Sequence, residues 1–284
     1  MQTIKLNGDV HMPILGLGTF RVRGYSTVYQ VLDAAFQAGY RSFDTATVYQ
    51  NEADIGKALK ELLPKHGLTR KDIFVTSKLA PQDHGEEAES ACLRSLEQLD
   101  CDYIDLYLIH WPGKQGLKSE DPDNKLHRQK SWQAMEKLKE SGKFRVIGVS
   151  NYTVEHMNEL LSHCRIKPSV LQVEYHPLLV QTDLLNFCSS AGIHLQAYSS
   201  LGVGKLVSEP QIIKVAGKYR KTPSQVLLKW AVQQGIGVIP KSCNPERIKE
   251  NFMIFDFSLS EEDINTISSL HSGTRYCWDP THVA

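Results

Sequence analysis

Four polar residues, Asp44, Tyr49, Lys78 and His110, each follow the end of a short apolar run. The runs are Tyr40-Arg41-Ser42-Phe43, Ile73-Phe74-Val75-Thr76-Ser77 and Ile104-Asp105-Leu106-Tyr107-Leu108-Ile109, with a periodic helical segment between each pair of neighbours. As consecutive parallel strands, these runs would place an acid, a phenol, an amine and an imidazole on one face. That is a set for proton transfer. A phenol is a poor acid at neutral pH because its ordinary pKa is about 10, and an adjacent ammonium lowers it by favouring phenolate. Lys78 is the candidate ammonium, and Asp44 supplies the counter-charge that a buried lysine requires. His110 lies in Leu108-Ile109-His110-Trp111-Pro112, where the proline ends the strand and the indole forms an aromatic wall. A neutral imidazole there would donate a hydrogen bond to a substrate oxygen and orient it toward Tyr49. Phenol, imidazole and ammonium suit carbonyl reduction, but they contain no hydride source, so the chain must bind one. A Schiff base on Lys78 is the competing chemistry. It is disfavoured because Asp44 would raise the lysine's pKa rather than lower it.

The elements that must position these groups read as alternating strands and helices. Thr3 to Met12 alternates weakly around Asn7-Gly8, which predicts a small hairpin capping one end of the fold. From Leu15-Gly16-Leu17-Gly18 onward, helices are expected at about Thr27 to Ala38, Glu52 to Leu63, Glu87 to Leu99 and Lys130 to Glu140. Strands follow at 144–149, 170–174, 193–198 and 236–239, which completes eight. Eight βα units match an α/β (β/α)8 TIM barrel with the hairpin as a cap and an extra C-terminal helix. An open dinucleotide-binding sheet would need GxGxxG near its first strand, and none occurs. Asn51 is placed to cap the helix that follows Tyr49.

A second constellation, Ile239-Pro240-Lys241-Ser242-Cys243-Asn244-Pro245-Glu246-Arg247, follows the last strand. Asn244 reads as a helix cap and Pro245 as the first helical residue, so backbone N–H groups and the helix dipole meet Lys241, Ser242 and Arg247. This is an anion site, placed where barrels often bind phosphate. Ser199-Ser200-Leu201-Gly202-Val203-Gly204 offers further free N–H groups for a pyrophosphate.

Composition excludes several function classes. Lys+Arg and Asp+Glu are both 32, so no basic field exists to hold a nucleic acid or an anionic bilayer. No segment is apolar for the length of a membrane span and the amino terminus lacks a signal-peptide stretch, which predicts a cytoplasmic protein. The six cysteines show no CxxC pairing, so neither a metal site nor a disulfide framework is expected. At 284 residues without a linker-like stretch, residues 1–284 read as one domain.

GYRSFDTATVYQNEADIG at 39–56, VSNYTVEHMNELL at 149–161 and IPKSCNPERIKEN at 239–251 resemble the three signatures of the aldo-keto reductase family, and the resemblance runs over nearly the whole chain. It implies an NADPH-dependent reductase of aldehydes, α-dicarbonyls or ketones, with Asp44, Tyr49, Lys78 and His110 as the catalytic tetrad and Tyr49 as proton donor. It implies that Ser150, Asn151 and Gln172 hold the nicotinamide carboxamide and that Tyr198 stacks on the ring. Gly18, Thr19, Asp44, Ser199, Leu201 and Gly202 would also touch the cofactor. Lys241, Ser242 and Arg247 would bind the adenosine 2'-phosphate, with Glu250 and Asn251 near the adenine, which favours NADP(H) over NAD(H). A monomer is the family's usual state. The alternative that the resemblance leaves is an NADPH-binding member without catalysis, of the crystallin or regulatory kind. In vertebrate aldose-reductase-like members a tryptophan commonly follows the Lys-Leu of strand three. Here Ala80 follows Leu79, leaving Phe20 and Trp111 as aromatic walls and a short C-terminal segment from Gly273 to Pro280.

Overall fold

The computed structural model describes residues 2–284. Strands β1 (Thr3–Lys5) and β2 (His11–Pro13) form the expected antiparallel hairpin. Then β3 (Leu17–Gly18), β4 (Ser42–Asp44), β5 (Phe74–Leu79), β6 (Ile104–Ile109), β7 (Phe144–Ser150), β8 (Val170–Glu174), β9 (His194–Tyr198) and β10 (Gly237–Val238) pair in chain order, each parallel to the next. A parallel bridge between Leu15 and Val238 closes the ring. Gly16 N donates to Val238 O at 2.9 Å and Gly18 N to Pro240 O at 3.0 Å. Gly18 is required at that seam, because a Cβ there would sit 2.7 Å from the Ile239 carbonyl oxygen.

Helices α1 (Tyr25–Ala38), α2 (Glu52–Lys65), α3 (Ala88–Gln98), α4 (Asp123–Glu140), α5 (Val154–His163) and α6 (Thr182–Ala191) alternate with the strands. Helix α4 begins seven residues before the expected start at Lys130. Its first turn is charged and mostly exposed, so no apolar period marks it. Asn124 nevertheless anchors that turn, accepting from Lys114 N and donating to the Lys118 and Ser119 carbonyls. Two helices, α7 (Pro210–Tyr219) and α8 (Pro223–Gln233), lie between β9 and β10, followed by α9 (Pro245–Phe252) and α10 (Glu261–Ser268). Pro210 and Pro223 each occupy a first helical turn, the sequence cue for both starts.

The core has two parts. Leu6, Val10 and Met12 of the hairpin region pack with Phe74, Leu106, Leu108, Val146 and Val170, so the hairpin plugs the amino end of the barrel. The larger cluster fills the layer between strands and helices.

Buried histidines give the fold an acid limit. Burial holds His84 at a pKa of about 3 and His194 at about 4, against an ordinary 6.5. Below about pH 6.5 the unfolded chain takes up protons that these native imidazoles refuse until pH 4 to 3, so stability is full above 6.5 and falls with pH. The urea midpoint is expected to be level from pH 7 to 8 and to drop steadily from pH 6.5 to 4. A midpoint held constant across the acid window would show these histidines to be charged in the fold.

Candidate active site

Alternate residues of a strand point to opposite faces. Phe74, Leu106, Leu108, Val146 and Val170 fill the interior, and the same parity, carried two or four residues on, brings Lys78, His110, Ser150 and Gln172 inward at the carboxyl end. Two of the tetrad residues are part of strands rather than beyond them. Asp44 is the last residue of β4, paired with Gly18 and Thr76, and Lys78 lies inside β5 opposite Leu108. Tyr49 stands on a 3-10 turn, Thr47–Tyr49, and His110 directly follows β6.

The four groups converge. Lys78 is fully buried and spends all three ammonium protons: on Asp44 Oδ1 at 2.5 Å, the Thr45 carbonyl at 2.9 Å and the Tyr49 hydroxyl at 3.5 Å. Burial opposes its charge, but Asp44 and Tyr49 more than offset that and leave its pKa raised. A lysine without a free lone pair is no Schiff-base nucleophile. Tyr49 departs from expectation. Burial raises its pKa, Lys78 pulls it down, and the net direction is upward, so the phenol stays protonated at neutral pH. Local spacing shows the ammonium but not the depth of burial that outweighs it. The His110 imidazole meets Tyr49 edge-on with ring centroids 5.6 Å apart. Burial, and then the positive charge of Lys78, push its pKa well below the ordinary value. It is neutral, and its enclosed Nδ1 has no hydrogen-bond partner among the described residues.

Around the tetrad lie the residues assigned to the nicotinamide end. Gln172 Nε2 donates to Asp44 Oδ2 and to Gln196 Oε1, both at 2.8 Å, leaving its own carbonyl oxygen unshared among the described residues. Asn151, in the left-handed region at φ 63°, donates through Nδ2 to the His110 carbonyl at 2.9 Å and to Ser150 Oγ at 3.1 Å. The Tyr198 hydroxyl donates to Asn151 Oδ1 at 2.6 Å. Thr19 is buried, and its hydroxyl donates to the Asp44 carbonyl at 2.9 Å. Asn51 does not cap α2. Its side chain donates to the Thr19 and Val22 carbonyls and accepts from Thr45 Oγ1 at 2.6 Å, tying the loops after β3 and β4 together. That long-range demand outcompetes the local cap.

At the other end, Asn244 caps α9 as expected, its Oδ1 accepting from Glu246 N at 2.9 Å and Arg247 N at 3.2 Å. Lys241 and Arg247 are exposed and have no acidic partner among the described residues. Ser242 Oγ accepts from Asn244 N at 3.0 Å. Glu250 is engaged elsewhere, accepting from Thr222 Oγ1 at 2.8 Å, and Asn251 is buried beside it. Between the two ends, Ser199 (φ 53°) and Gly202 (φ 57°) bend the loop after β9, and Leu201 lies between them.

Beside the tetrad lies an aromatic arc. Phe20 lies 5.2 Å from Tyr49, His110 stacks 6.1 Å from Trp111, and Trp278 meets Trp111 edge-on at 4.9 Å. Trp278 and Pro81 join Trp111 around a cavity of about 410 Å³, while Ala80 is fully buried. Trp278 was not singled out by sequence reasoning, since nothing local links residues 111 and 278. Glu174 was also missed. Buried at the end of β8, it accepts from Tyr276 N at 2.7 Å and Cys277 N at 3.1 Å and pairs with His176 Nε2 at 2.9 Å, holding the segment that carries Trp278. Its inward parity two residues after Gln172 was the available signal.

Comparison with known proteins gives the family and the fold. Residues 14–272 match the model of the Aldo/keto reductase family. A glyoxal reductase of Bacillus subtilis is 44% identical over 282 residues, covering 99% of this chain and 97% of its own. An aldo-keto reductase enzyme from a Medee basin deep-sea metagenome library superposes with a TM-score of 0.89 at 40% identity, with 100% of both chains covered. A Bombyx mori aldo-keto reductase in complex with NADP superposes with a TM-score of 0.88 at 35% identity, covering 96% of this chain and 94% of that one.

Proposed function

Because the chain belongs to the aldo/keto reductase family and is an NADP-dependent carbonyl reductase, we propose that Tyr49 is its proton donor and that Lys78, Asp44 and His110 are the groups that make that donation possible. The observation that carries this assignment is the buried chain Asp44–Lys78–Tyr49, with a neutral imidazole set edge-on to the same phenol.

The residues present fit the dinucleotide. The unshared carbonyl oxygen of Gln172 and the Asn151 amide suit a carboxamide, Tyr198 supplies the stacking ring, and two unpaired cations at a capped helix start suit a 2'-phosphate. When bound, NADPH supplies the hydride that adds to the carbonyl carbon. The Tyr49 hydroxyl gives its proton to the carbonyl oxygen. The Lys78 ammonium, kept charged by Asp44, faces the phenolate that remains and stabilises it. His110 donates a hydrogen bond to the same oxygen and orients it toward Tyr49. Phe20, Trp111 and Trp278 line an apolar entrance that holds the substrate's hydrocarbon part. Aldehydes and α-dicarbonyls are the substrates we assign, which accords with the name of the Bacillus relative, a glyoxal reductase.

We also assign the protein to one domain, a monomeric state and the cytoplasm, with no nucleic-acid partner. The balanced charge supports the last of these, since it offers no basic field to hold a phosphate backbone; among the described residues no helix is long and apolar enough to cross a membrane.

The test is NADPH oxidation, followed by absorbance, against methylglyoxal, an aromatic aldehyde and a quinone. Turnover of at least one is expected, and none with any of them would sink the assignment. The phosphate end is tested in the same assay. Replacing Arg247 with Ala removes a charge-assisted contact of about 1.5 to 3 kcal/mol, so the KM for NADPH is expected to rise about 10- to 150-fold while that for NADH stays level. Equal losses with both cofactors would place Arg247 away from the 2'-phosphate.

A further inference from the structure

The last residue of β8 carries a buried carboxylate that the reduction as derived above does not use. Glu174 is 1% exposed, stands two residues beyond Gln172 on the same face, and is aligned with Tyr198 of β9. Its ion-pair neighbour among the described residues is His176. Three N–H groups hold the carboxylate: Oε1 accepts from His176 Nε2 at 2.9 Å and from Tyr276 N at 2.7 Å, and Oε2 accepts from Cys277 N at 3.1 Å. Burial raises its pKa, but these donors outweigh burial and leave it lowered, so both oxygens stay acceptors at neutral pH.

The segment held there has no helix or strand of its own between α10 and the 3-10 turn at Pro280–His282. Its far end is tied down separately. His156 Nε2 donates to Val283 O at 2.9 Å, Ala284 N donates to Ser119 O at 2.8 Å, and Arg128 Nη1 donates to Ala284 O at 2.6 Å and to Pro112 O at 3.1 Å. Trp278 lies between the two ties, edge-on to Trp111 and 49% exposed. A half-exposed indole in an irregular segment buries too little to fix its own backbone. Its place over Trp111 therefore depends on the residues just before it, whose N–H groups end on Glu174. We propose that Glu174 is a positioning residue for substrate specificity: by holding Tyr276 N and Cys277 N it fixes Trp278 against Trp111, and so governs the acceptance of aldehydes with a large, flat hydrocarbon body. The inference rests on the reading that Trp111 and Trp278 wall that part of the substrate. A small dicarbonyl can meet Tyr49 and His110 without this wall, so Glu174 has no reason to affect it.

The test is kcat/KM for 2-naphthaldehyde and for methylglyoxal in the parent enzyme, Glu174→Gln, Trp278→Ala and the double variant. Saturating NADPH throughout cancels any change in cofactor binding from the ratio of the two aldehydes. Gln offers one oxygen and one NH2 where two oxygens accepted, so one of the two backbone N–H groups loses its acceptor. In Glu174→Gln the naphthaldehyde value is expected to fall about 10-fold or more, the discrimination that one misplaced apolar contact makes, while methylglyoxal stays within about twofold. Trp278→Ala should show the same pattern, and adding Glu174→Gln to it should cost little more, because the carboxylate acts through the indole. A role confined to packing would lower the melting temperature and move both aldehydes alike. An unchanged ratio in Glu174→Gln, or losses that add in full in the double variant, overturns the proposal. Should Glu174→Gln fail to fold, Glu174→Asp keeps the charge and draws the carboxylate back by one methylene. It is expected to shift the ratio in the same direction, and no shift there overturns the proposal. A ratio unchanged in Trp278→Ala would instead bring down the reading of the substrate wall beneath it.

Discussion

Tyr49→Phe is expected to lower turnover by about 100- to 10,000-fold, the range that a positioned acid contributes, while NADPH still binds. The substitution deletes one oxygen, and Phe fills the same half-buried place between Phe20 and His110, so the fold has no reason to change. What disappears is the proton for the carbonyl oxygen. The pH dependence of the parent enzyme belongs to the same prediction. Burial raises the Tyr49 pKa and lowers that of His110, so neither group changes its charge near neutrality. The reductive kcat should therefore be level from about pH 6 to 8, with no inflection at the ordinary histidine value of about 6.5. It should fall only when rising pH removes the phenolic proton, and the reverse oxidation, which needs phenolate, should gain over the same interval. Rapid kinetics across that range, with NADPH binding followed by fluorescence, would check both parts. A Phe variant that keeps near-parent turnover would show that another group donates the proton.

Lys78→Met removes the ammonium with little change in volume, and two losses are expected together. Turnover should fall by about 100-fold or more, because the phenolate formed after proton transfer would face no positive charge. Stability should fall by about 3 to 5 kcal/mol, because breaking one half of a buried pair leaves the other half uncompensated. Asp44 would keep its hydrogen bond from Gln172 Nε2 at 2.8 Å but lose that from Lys78 Nζ at 2.5 Å. Urea unfolding at pH 7 measures that deficit, and a loss below about 1 kcal/mol would show that the pair contributes little to the fold. Borohydride treatment of the parent enzyme with substrate should trap no adduct on Lys78, since all of its protons are engaged and its pKa is raised.

Much of the architecture was legible from residues 15 to 239. The alternation of strand and helix is a local pattern, and it set Asp44, Tyr49, Lys78 and His110 at the carboxyl ends of consecutive strands before any contact was known, whereas Ser150 and Gln172 came only from the family resemblance. The phosphate end was equally local, since Asn244 and Pro245 specify a helix start within two residues. The three motifs were specific enough to indicate the family, and with it the cofactor.

What the chain could not express locally was decided by packing between distant segments. Trp278 reaches Trp111 across more than 160 positions, and Glu174 binds the backbone of residues 276 and 277. Asn51 gave up a nearby helix for carbonyls near residue 20. The direction of the Tyr49 pKa belongs to the same class. A neighbouring ammonium can be read from a sequence, but the desolvation that outweighs it exists only once the surrounding strands have closed over the phenol.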